Sequence, residues 1–194
     1  MSMEVMDPAA LASVPETLTT PRLRLERMRA DHGPAFWSLV EASRPDLGFV
    51  GWAPAIVGPL HARAHCARNA LRPTHPLGLI YVAFEHGSSV MVADLDLHTF
   101  DFTVPRCELG YVGHSACLGR GLVTEAASAL VRLAFEFGVE RVAATCDARN
   151  ERSINFALRL GFSVEGTLRH FERDPQGALC DLVCLSRLRE ERLA

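Results

Sequence analysis

A glycine-punctuated turn ahead of a long helix holds the residues that most directly suggest chemistry. Gly119-Arg120-Gly121 lies between a short strand around Tyr111 and a helix that starts near Leu122. Glycines allow positive φ and close backbone approach, so the N–H groups of such a turn can point at a bound anion. The helix adds unpaired N–H groups and the positive end of its dipole. The stretch indicates a phosphate or pyrophosphate site, although a tight turn into a core helix is an equally good interpretation of the turn alone.

The elements around this turn must position it. Apolar residues at helical spacing predict a core-facing helix that stops near Gly138; they are Leu122, Ala126, Ala129, Leu130, Leu133, Ala134 and Phe137. Other patterns predict strands at 22–28, 79–85, 89–97, 108–113, 141–146, 163–172 and 179–188, and helices after residue 31, at 61–71 and at 152–160. The predicted order is β-α-α-β-β-β-α-β-α-β-β. We expect a single domain over residues 1–194, with residues 1–19 as a loose leader.

A second set of motifs lies downstream and makes the pattern more specific. Asn150 and Ser153 begin the short helix, and Leu160-Gly161-Phe162 and Glu165-Gly166 follow it. With Gly110-Tyr111, Gly119-Arg120-Gly121-Leu122 and Thr124-Glu125-Ala126, these motifs resemble the GNAT superfamily of N-acetyltransferases, and most closely its ribosomal-protein N-terminal acetyltransferase branch (RimJ/RimL-like). The segment Thr20-Pro21-Arg22-Leu23-Arg24-Leu25 is similar to the start of that family and extends the resemblance across most of the chain.

The resemblance implies an α+β, three-layer acetyltransferase fold, with a mixed, mostly antiparallel sheet of about seven strands and about four flanking helices. In that fold two central strands splay apart, and acetyl-CoA enters the gap. The implied cofactor-binding residues are Tyr111, Val112, Leu118, Gly119, Arg120, Gly121, Leu122, Val123, Thr124, Asn150 and Ser153. Family members usually carry Gln or Arg three residues before the first glycine, where this chain has Ala116. We therefore expect one missing side-chain contact and an intact backbone site.

The implied reaction is direct transfer of acetyl from acetyl-CoA to a primary amine in a ternary complex. The leaving thiolate needs a proton. Many family members supply it from a Tyr four residues before the glycine of the Gly-Phe pair, a position that Ala157 occupies here. RimL-like members use the Ser of the Asn-x-x-Ser motif, so Ser153 is the expected donor. Its alternative role is that of a polar residue in the first helical turn.

The base that deprotonates the amine is the least determined part of the site. Glu108 is our first choice, because a carboxylate close to an apolar cleft has a raised pKa and can take a proton. Asp94, Asp96 and His98, which alternate along the preceding strand, are the alternatives. Each of these side chains fits equally well on a solvated strand face.

The acceptor pocket is expected to involve Phe49, Trp52, Asp94 and His170. The acceptor itself stays open between a protein N-terminus and a small amine such as an amino acid, a polyamine or an antibiotic. A second hypothesis comes from another functional class, namely an acyl-CoA-binding sensor or interaction module that kept the fold and lost turnover. Ala116 and Ala157 favour the sensor, whereas Asn150 and Ser153 favour the enzyme.

Composition limits the remaining classes. The net charge of −3 gives no reason to expect nucleic acid binding, and all 20 basic residues are Arg. No secretory signal or membrane-spanning run is visible, and the six scattered cysteines suggest free thiols in the cytoplasm. His61 and His65 lie one helical turn apart without the Glu or the second pair that a metal site would need, so no metal is predicted. The sequence leaves open whether the chain forms a homodimer.

Overall fold

The computed structural model describes residues 11, 13–70 and 78–191. Its strands are β1 (Thr17–Thr19), β2 (Leu23–Arg27), β3 (Leu79–Glu85), β4 (Met91–Asp101), β5 (Arg106–Gly113), β6 (Arg141–Asp147), β7 (Ser163–Arg173) and β8 (Leu179–Leu188). Its α-helices are α1 (Gly33–Ser43), α2 (Pro59–Ala70), α3 (Leu122–Glu136) and α4 (Glu151–Arg159). The strands form one sheet in the order β1-β2-β3-β4-β5-β6-β8-β7, antiparallel except for β5 and β6. The predicted α+β fold is confirmed.

The helices cover both faces of the sheet, as strand alternation requires. Tyr81 and Ala83 of β3 belong to the core that α3 and α4 complete, whereas Val82 and Phe84 pack with α1 and α2 on the opposite face. The result is a three-layer arrangement with two apolar cores. The carboxyl-bearing positions of β4 face the α1 and α2 side, because the alternating Leu95 and Leu97 belong to the α3 core.

One expectation for the N-terminal segment is wrong. Residues 17–19, placed in the loose leader, form β1 and pair antiparallel with β2, so that the sheet has eight strands and not about seven. Val14 just before them is buried in the core beside α3. A three-residue strand is too short to show periodicity, and its hydrogen bonds come from β2, a distant requirement that local sequence does not reveal. Residues 1–10 and 12 of the leader lie outside the described residues.

The predicted splay lies between β5 and β6. These strands pair through only three positions, from Arg106 opposite Arg141 to Glu108 opposite Ala143. Beyond Glu108, β5 continues to Gly113 while paired on its other edge with β4, and β6 continues to Asp147 while paired with β8. The facing edges of β5 and β6 therefore open into a gap that begins directly after Glu108.

Candidate active site

The turn before α3 has the backbone conformation that its glycines predict. Gly119 and Gly121 have φ of 74° and 72°, a region that favours glycine, and α3 begins at Leu122 without a side-chain cap. Among the described residues, none of the N–H groups from Gly119 to Thr124 donates to another atom of the chain. The fully buried Leu122 and the nearly buried Val123 fix this end of α3 in the core. The turn thus presents a fixed row of donors, at the positive end of a helix dipole, to an anion.

Contacts from the connection between β1 and β2 and from β3 brace the turn and engage Arg120. The Arg120 guanidinium forms an ion pair with Glu85, and its carbonyl oxygen accepts a hydrogen bond of 2.9 Å from Arg22 Nη1. Glu125, in the first turn of α3, accepts from Thr20 Oγ1 at 2.6 Å and from the Arg22 amide at 2.9 Å. The backbone N–H of Arg120 is thus available to an anion, whereas the charge of the Arg120 side chain is already balanced by Glu85. Thr20, Arg22 and Glu125 together hold the turn in place.

A cavity of about 150 Å³ lies between the splay and the residues that flank this turn, Leu118 and Val123. Its walls include Tyr111, Val112 and Gly113 of β5, Leu118 and Val123, and Asn150, Ser153 and Phe156 at the start of α4. Arg152 and Arg159 also line it; sequence reasoning missed both. Arg152 pairs with Asp46 at 2.8 Å, whereas Arg159 has no carboxylate partner in the part of the chain that the structure describes and lies over the Phe156 ring. Their i, i+7 spacing on α4 is the only sequence signal for this basic edge.

Three side chains from β5, β6 and α4 meet at the bottom of the splay. The Tyr111 hydroxyl lies 2.8 Å from Ser153 Oγ and donates to the Ser153 carbonyl at 3.0 Å, and Cys146 Sγ lies 3.2 Å from Ser153 Oγ. Burial raises the pKa values of Tyr111 and Cys146, so both stay protonated at neutral pH. Asn150 caps α4 by accepting from the Ser153 amide at 3.1 Å. The Asn-x-x-Ser motif therefore starts the helix and also directs the Ser153 hydroxyl toward Tyr111.

A second cavity of about 330 Å³ lies on the α1 and α2 face of the sheet, beneath the loop of residues 49–52. Phe49 and Trp52 line it, as predicted, and so do Asp94, Asp96 and His98 on its floor. Trp52 is anchored by rings of Phe36 at 5.3 Å and His65 at 5.1 Å, whereas Phe49 is 41% exposed. The cavity is thus walled by one fixed and one exposed aromatic ring and floored by carboxyl groups.

The two carboxyl groups on the floor are held in different surroundings. Asp94 is 9% exposed, and among the described residues its Oδ1 has no hydrogen-bond partner. Burial, with a smaller contribution from Asp96, raises the pKa of Asp94 to about 8. The Asp96 carboxyl lies across β5 directly over Gly110, where a Cβ would be 2.2 Å from Oδ1. Burial also raises the pKa of Asp96, while His98, whose Nε2 is 3.8 Å from Asp96 Oδ2, opposes the shift.

Glu108 and His170, predicted as the base and as an acceptor-pocket residue, lie outside both cavities, and so do five residues of the predicted anion-binding turn: Gly119, Arg120, Gly121, Leu122 and Thr124. Glu108 shares the sheet face with Asp96 but pairs with His98 on one side and Ala143 on the other, where β5 and β6 are still joined. Glu108 therefore lies at the last pair of β5 and β6, just before the gap between them opens. His170 lies on β7, whose residues are all exposed, at a bulge where it has φ of 49° and its amide donates to Asp181 at 2.8 Å. Neither residue lines the cavities at the splay, so Asp96 takes the position expected for Glu108.

Asp147, at the end of β6, also lines the second cavity and was not predicted as a site residue. Arg149 binds both Asp147 at 2.6 Å and Asp174 at 2.8 Å, and its guanidinium lies 5.7 Å from the Phe49 ring centre. This hydrogen bonding lowers the pKa of Asp147 to about 2. Its charge is thus compensated, unlike that of Asp94.

Two negative observations concern the described residues alone. No three His, Cys, Asp or Glu side chains among them are grouped in a way that would hold a metal ion. None of their helices has both the length and the apolar character that crossing a membrane requires.

The chain is similar to one known protein family in sequence and to solved structures in fold. The family model for the acetyltransferase (GNAT) domain matches residues 22–163. A solved structure described as an acetyltransferase is 30% identical, with 91% of this chain and 88% of that chain covered and a TM-score of 0.77. The microcin C7 self-immunity acetyltransferase MccE, solved with acetyl-CoA and AMP, is 19% identical over 87% of this chain and 93% of that chain, with a TM-score of 0.79.

RimL, a ribosomal L7/L12 α-N-protein acetyltransferase solved with coenzyme A, is 21% identical over 90% of this chain and 97% of that chain, with a TM-score of 0.78. No curated protein matches the sequence significantly. The RimL and MccE likenesses show the shared fold, and the family model covers most of the chain. The predicted acetyl-CoA-dependent N-acetyltransferase is confirmed at family level, and the comparisons lend the sensor hypothesis no support. The chain belongs to the acetyltransferase (GNAT) family.

Proposed function

We propose that acetyl-CoA and an amine acceptor approach each other from the two cavities and react at Tyr111 and Ser153. The observation that carries this proposal is that both cavities share the same wall, formed by Val50, Tyr111, Val112, Asn150 and Ser153. One cavity reaches the residues that flank the anion-binding turn before α3, and the other lies over the carboxyl groups of β4. A thioester in the splay would then be open to an amine from the opposite side.

The first cavity suits coenzyme A in its chemistry. The unpaired N–H groups of residues 119–124 would hold the diphosphate, and Arg159 would face its negative charge. The free edge of β5 beyond Glu108 would bind the amides of the pantetheine arm as a neighbouring strand would. The complexes of MccE with acetyl-CoA and of RimL with coenzyme A support this cofactor.

Acetyl-CoA supplies an activated acyl group: the amine nitrogen bonds to the carbonyl carbon, the carbon–sulfur bond breaks, and the sulfur takes up a proton. Asp96 is the proposed base, because its carboxyl lies over Gly110 at the mouth of the splay. Its raised pKa brings it closer to neutral pH, where a general base is most effective. Glu108, which is still held between paired strands, is less well placed.

Ser153 is the proposed proton donor to the leaving sulfur. Its hydroxyl is held by Asn150 through the helix start and lies 2.8 Å from the Tyr111 hydroxyl. Once Ser153 Oγ has given up its proton, the Tyr111 hydroxyl 2.8 Å away can donate to it in place of the Ser153 carbonyl and so replace that proton. This pair supplies the hydroxyl that the family often draws from the position of Ala157.

The test is amine-dependent release of coenzyme A. We expect Ser153→Ala to lower kcat about 100-fold or more, in the range of general acid catalysis, and to leave the KM for acetyl-CoA within about twofold. Ser128→Ala is the matched control, since Ser128 is a half-buried helical serine that lines neither cavity. If the protein binds acetyl-CoA but releases no coenzyme A with any amine tested, the sensor hypothesis is favoured instead. Equal kcat values for the two variants would remove Ser153 from the donor role.

The acceptor is a protein N-terminus or a small amine, as for the proteins that share this fold. A cytoplasmic location is supported by six cysteines that are all free, five of them buried. A homodimer and the absence of metal, nucleic acid and membrane partners stay predictions from the sequence.

A further inference from the structure

We propose that the acceptor is an amine with a second positive charge, and that the Asp94 carboxylate binds this second ammonium group while Asp96 faces the amine that reacts. The proposal rests on the proposed function, because it names the acceptor class of the same site. It is carried by the position and surroundings of Asp94.

Asp94 is a buried carboxyl group that lacks the partners such groups ordinarily have. It is 9% exposed, and its Oδ1 accepts no hydrogen bond from any described residue. No Arg or His among them forms an ion pair with it, whereas the neighbouring Asp147 is held by Arg149. Buried polar groups are almost always satisfied, so a buried carboxyl group on a cavity floor that has an unpaired oxygen and no counter-charge is suited to a ligand that donates to it.

The charge of the cavity selects the kind of donor. Among the described residues, its ionisable lining consists of Asp94, Asp96, Asp147 and His98 with the neutral Tyr111 and Cys146, and it contains no Arg. A carboxylate on the acceptor would find no Arg in the cavity to balance its charge and would lie near the Asp96 carboxyl. An ammonium group would donate to the Asp94 carboxylate and balance the charge. The cavity therefore favours polycationic amines over free amino acids.

Strand geometry sets the separation of the two amine positions. Asp94 and Asp96 are two residues apart on one face of β4, opposite Val112 and Gly110 of β5. Successive residues on a strand face are about 6.6 Å apart. A linear diamine of three to five carbons spans a gap of that order, so one nitrogen can lie at the splay beside Asp96 while the other reaches Asp94.

Cation binding should release a proton. The groups that face Asp94 are Asp96 on its own strand, Cys66 of α2, and the cavity residues His98, Tyr111, Cys146 and Asp147. Burial raises the pKa of Cys66 to about 12, so that thiol is neutral. Since the pKa of Asp94 is raised to about 8 in the empty cavity, the carboxyl is mostly protonated at pH 7 and must ionise when the ammonium binds.

The experiment compares three acceptors with the same reacting arm: 1,4-diaminobutane, n-butylamine and 5-aminopentanoate, with 1,3-diaminopropane and 1,5-diaminopentane to vary length. We expect kcat/KM for the best diamine to exceed that for its monoamine about 10- to 100-fold, the range of one charge-assisted hydrogen bond, and the amino acid to be the poorest acceptor. Asp94→Asn should abolish the preference for the diamine, so that the ratio of its kcat/KM to that of the monoamine falls to about one. Glu41→Gln, which removes an exposed carboxylate from α1, is the control for net charge.

Calorimetry on the wild-type complex with coenzyme A separates this proposal from the proposed function. Titration of the diamine in buffers of different ionisation enthalpy should show binding with proton release, and Asp94→Asn should abolish the release. Binding without any acetyl transfer would overturn the proposed function and leave the cation site standing. Equal kcat/KM for diamine and monoamine, equal losses for both in Asp94→Asn, or no diamine binding would overturn the cation site.

Discussion

Gly110 is the position at which one methyl group should disable the proposed base. A Cβ built on Gly110 would lie 2.2 Å from Asp96 Oδ1 and 3.0 Å from Asp96 Cγ, far inside contact distance. In Gly110→Ala the Asp96 carboxyl must therefore leave its place over β5. No side chain of β5 can take over the position of the Asp96 carboxyl, because the backbone of β5 itself lies directly beneath that carboxyl.

The magnitude follows from this single contact. Overpacking of a well-packed site costs about 1–3 kcal/mol, and a side chain forced off its rotamer costs about 0.5–1.5 kcal/mol. We expect Gly110→Ala to lower the free energy of unfolding by about 1–3 kcal/mol. Because the carboxyl moves away from the splay, kcat should fall about 100-fold or more, as for loss of a general base, while the KM for acetyl-CoA stays nearly constant.

Urea unfolding and amine-dependent coenzyme A release measure the two effects. Gly166→Ala is the matched control, since Gly166 also lies in a strand and a Cβ there would meet no atom within 4 Å. In the Asp96→Ala background, the stability cost of Gly110→Ala should almost vanish, which gives a coupling free energy of about 1–3 kcal/mol. An unchanged cost in that background, or an unchanged kcat in Gly110→Ala, would refute the reasoning.

Three further predictions concern the turn, the buried carboxyl and the hydroxyl pair. Gly119→Ala should raise the KM for acetyl-CoA about tenfold, because the residue must adopt φ of 74° in front of the anion. The control Gly177→Ala, at a residue with φ of 86° in the β7–β8 turn, should lose similar stability without a change in KM. Equal KM values for the two variants would contradict the assignment. Asp94→Asn should flatten the pH dependence of stability measured by urea unfolding. Between about pH 4 and pH 8 the folded state holds a proton on Asp94 that the unfolded state lacks, so wild-type stability falls with rising pH across that window. A variant whose stability falls equally would contradict the raised pKa. Tyr111→Phe should lower kcat at least tenfold if its hydroxyl supplies Ser153 with a proton, and an unchanged solvent isotope effect would argue against that role.

Much of the fold follows from local patterns. Local patterns predicted β2, β3 and the β7–β8 hairpin to within a residue or two, and helical spacing predicted α3, which buries one face of its own. The Gly119–Gly121 conformation was predictable for the same reason, since positive φ is a local demand.

The site is less predictable because its members meet through distant contacts. Glu108 and Asp96 lie on one face of neighbouring strands, and only the point where β5 and β6 separate decides which of them reaches the splay. Tyr111 meets Ser153 across 42 positions, and Arg120 turns to Glu85 across 35. His170 is displaced by a bulge in β7, which pairing with β8 determines and residue type does not.

The central claim is that the turn before α3 and the splay beyond Glu108 form a coenzyme A site. The most direct measurement is the melting temperature with and without acetyl-CoA, with ATP as the phosphate control. At a hundred times its dissociation constant a ligand stabilises by about 2.7 kcal/mol, which for a chain of this length is a shift of about 5 to 10 °C. The account predicts such a shift with acetyl-CoA and little with ATP. No shift at millimolar acetyl-CoA, or the same shift with ATP, would contradict it.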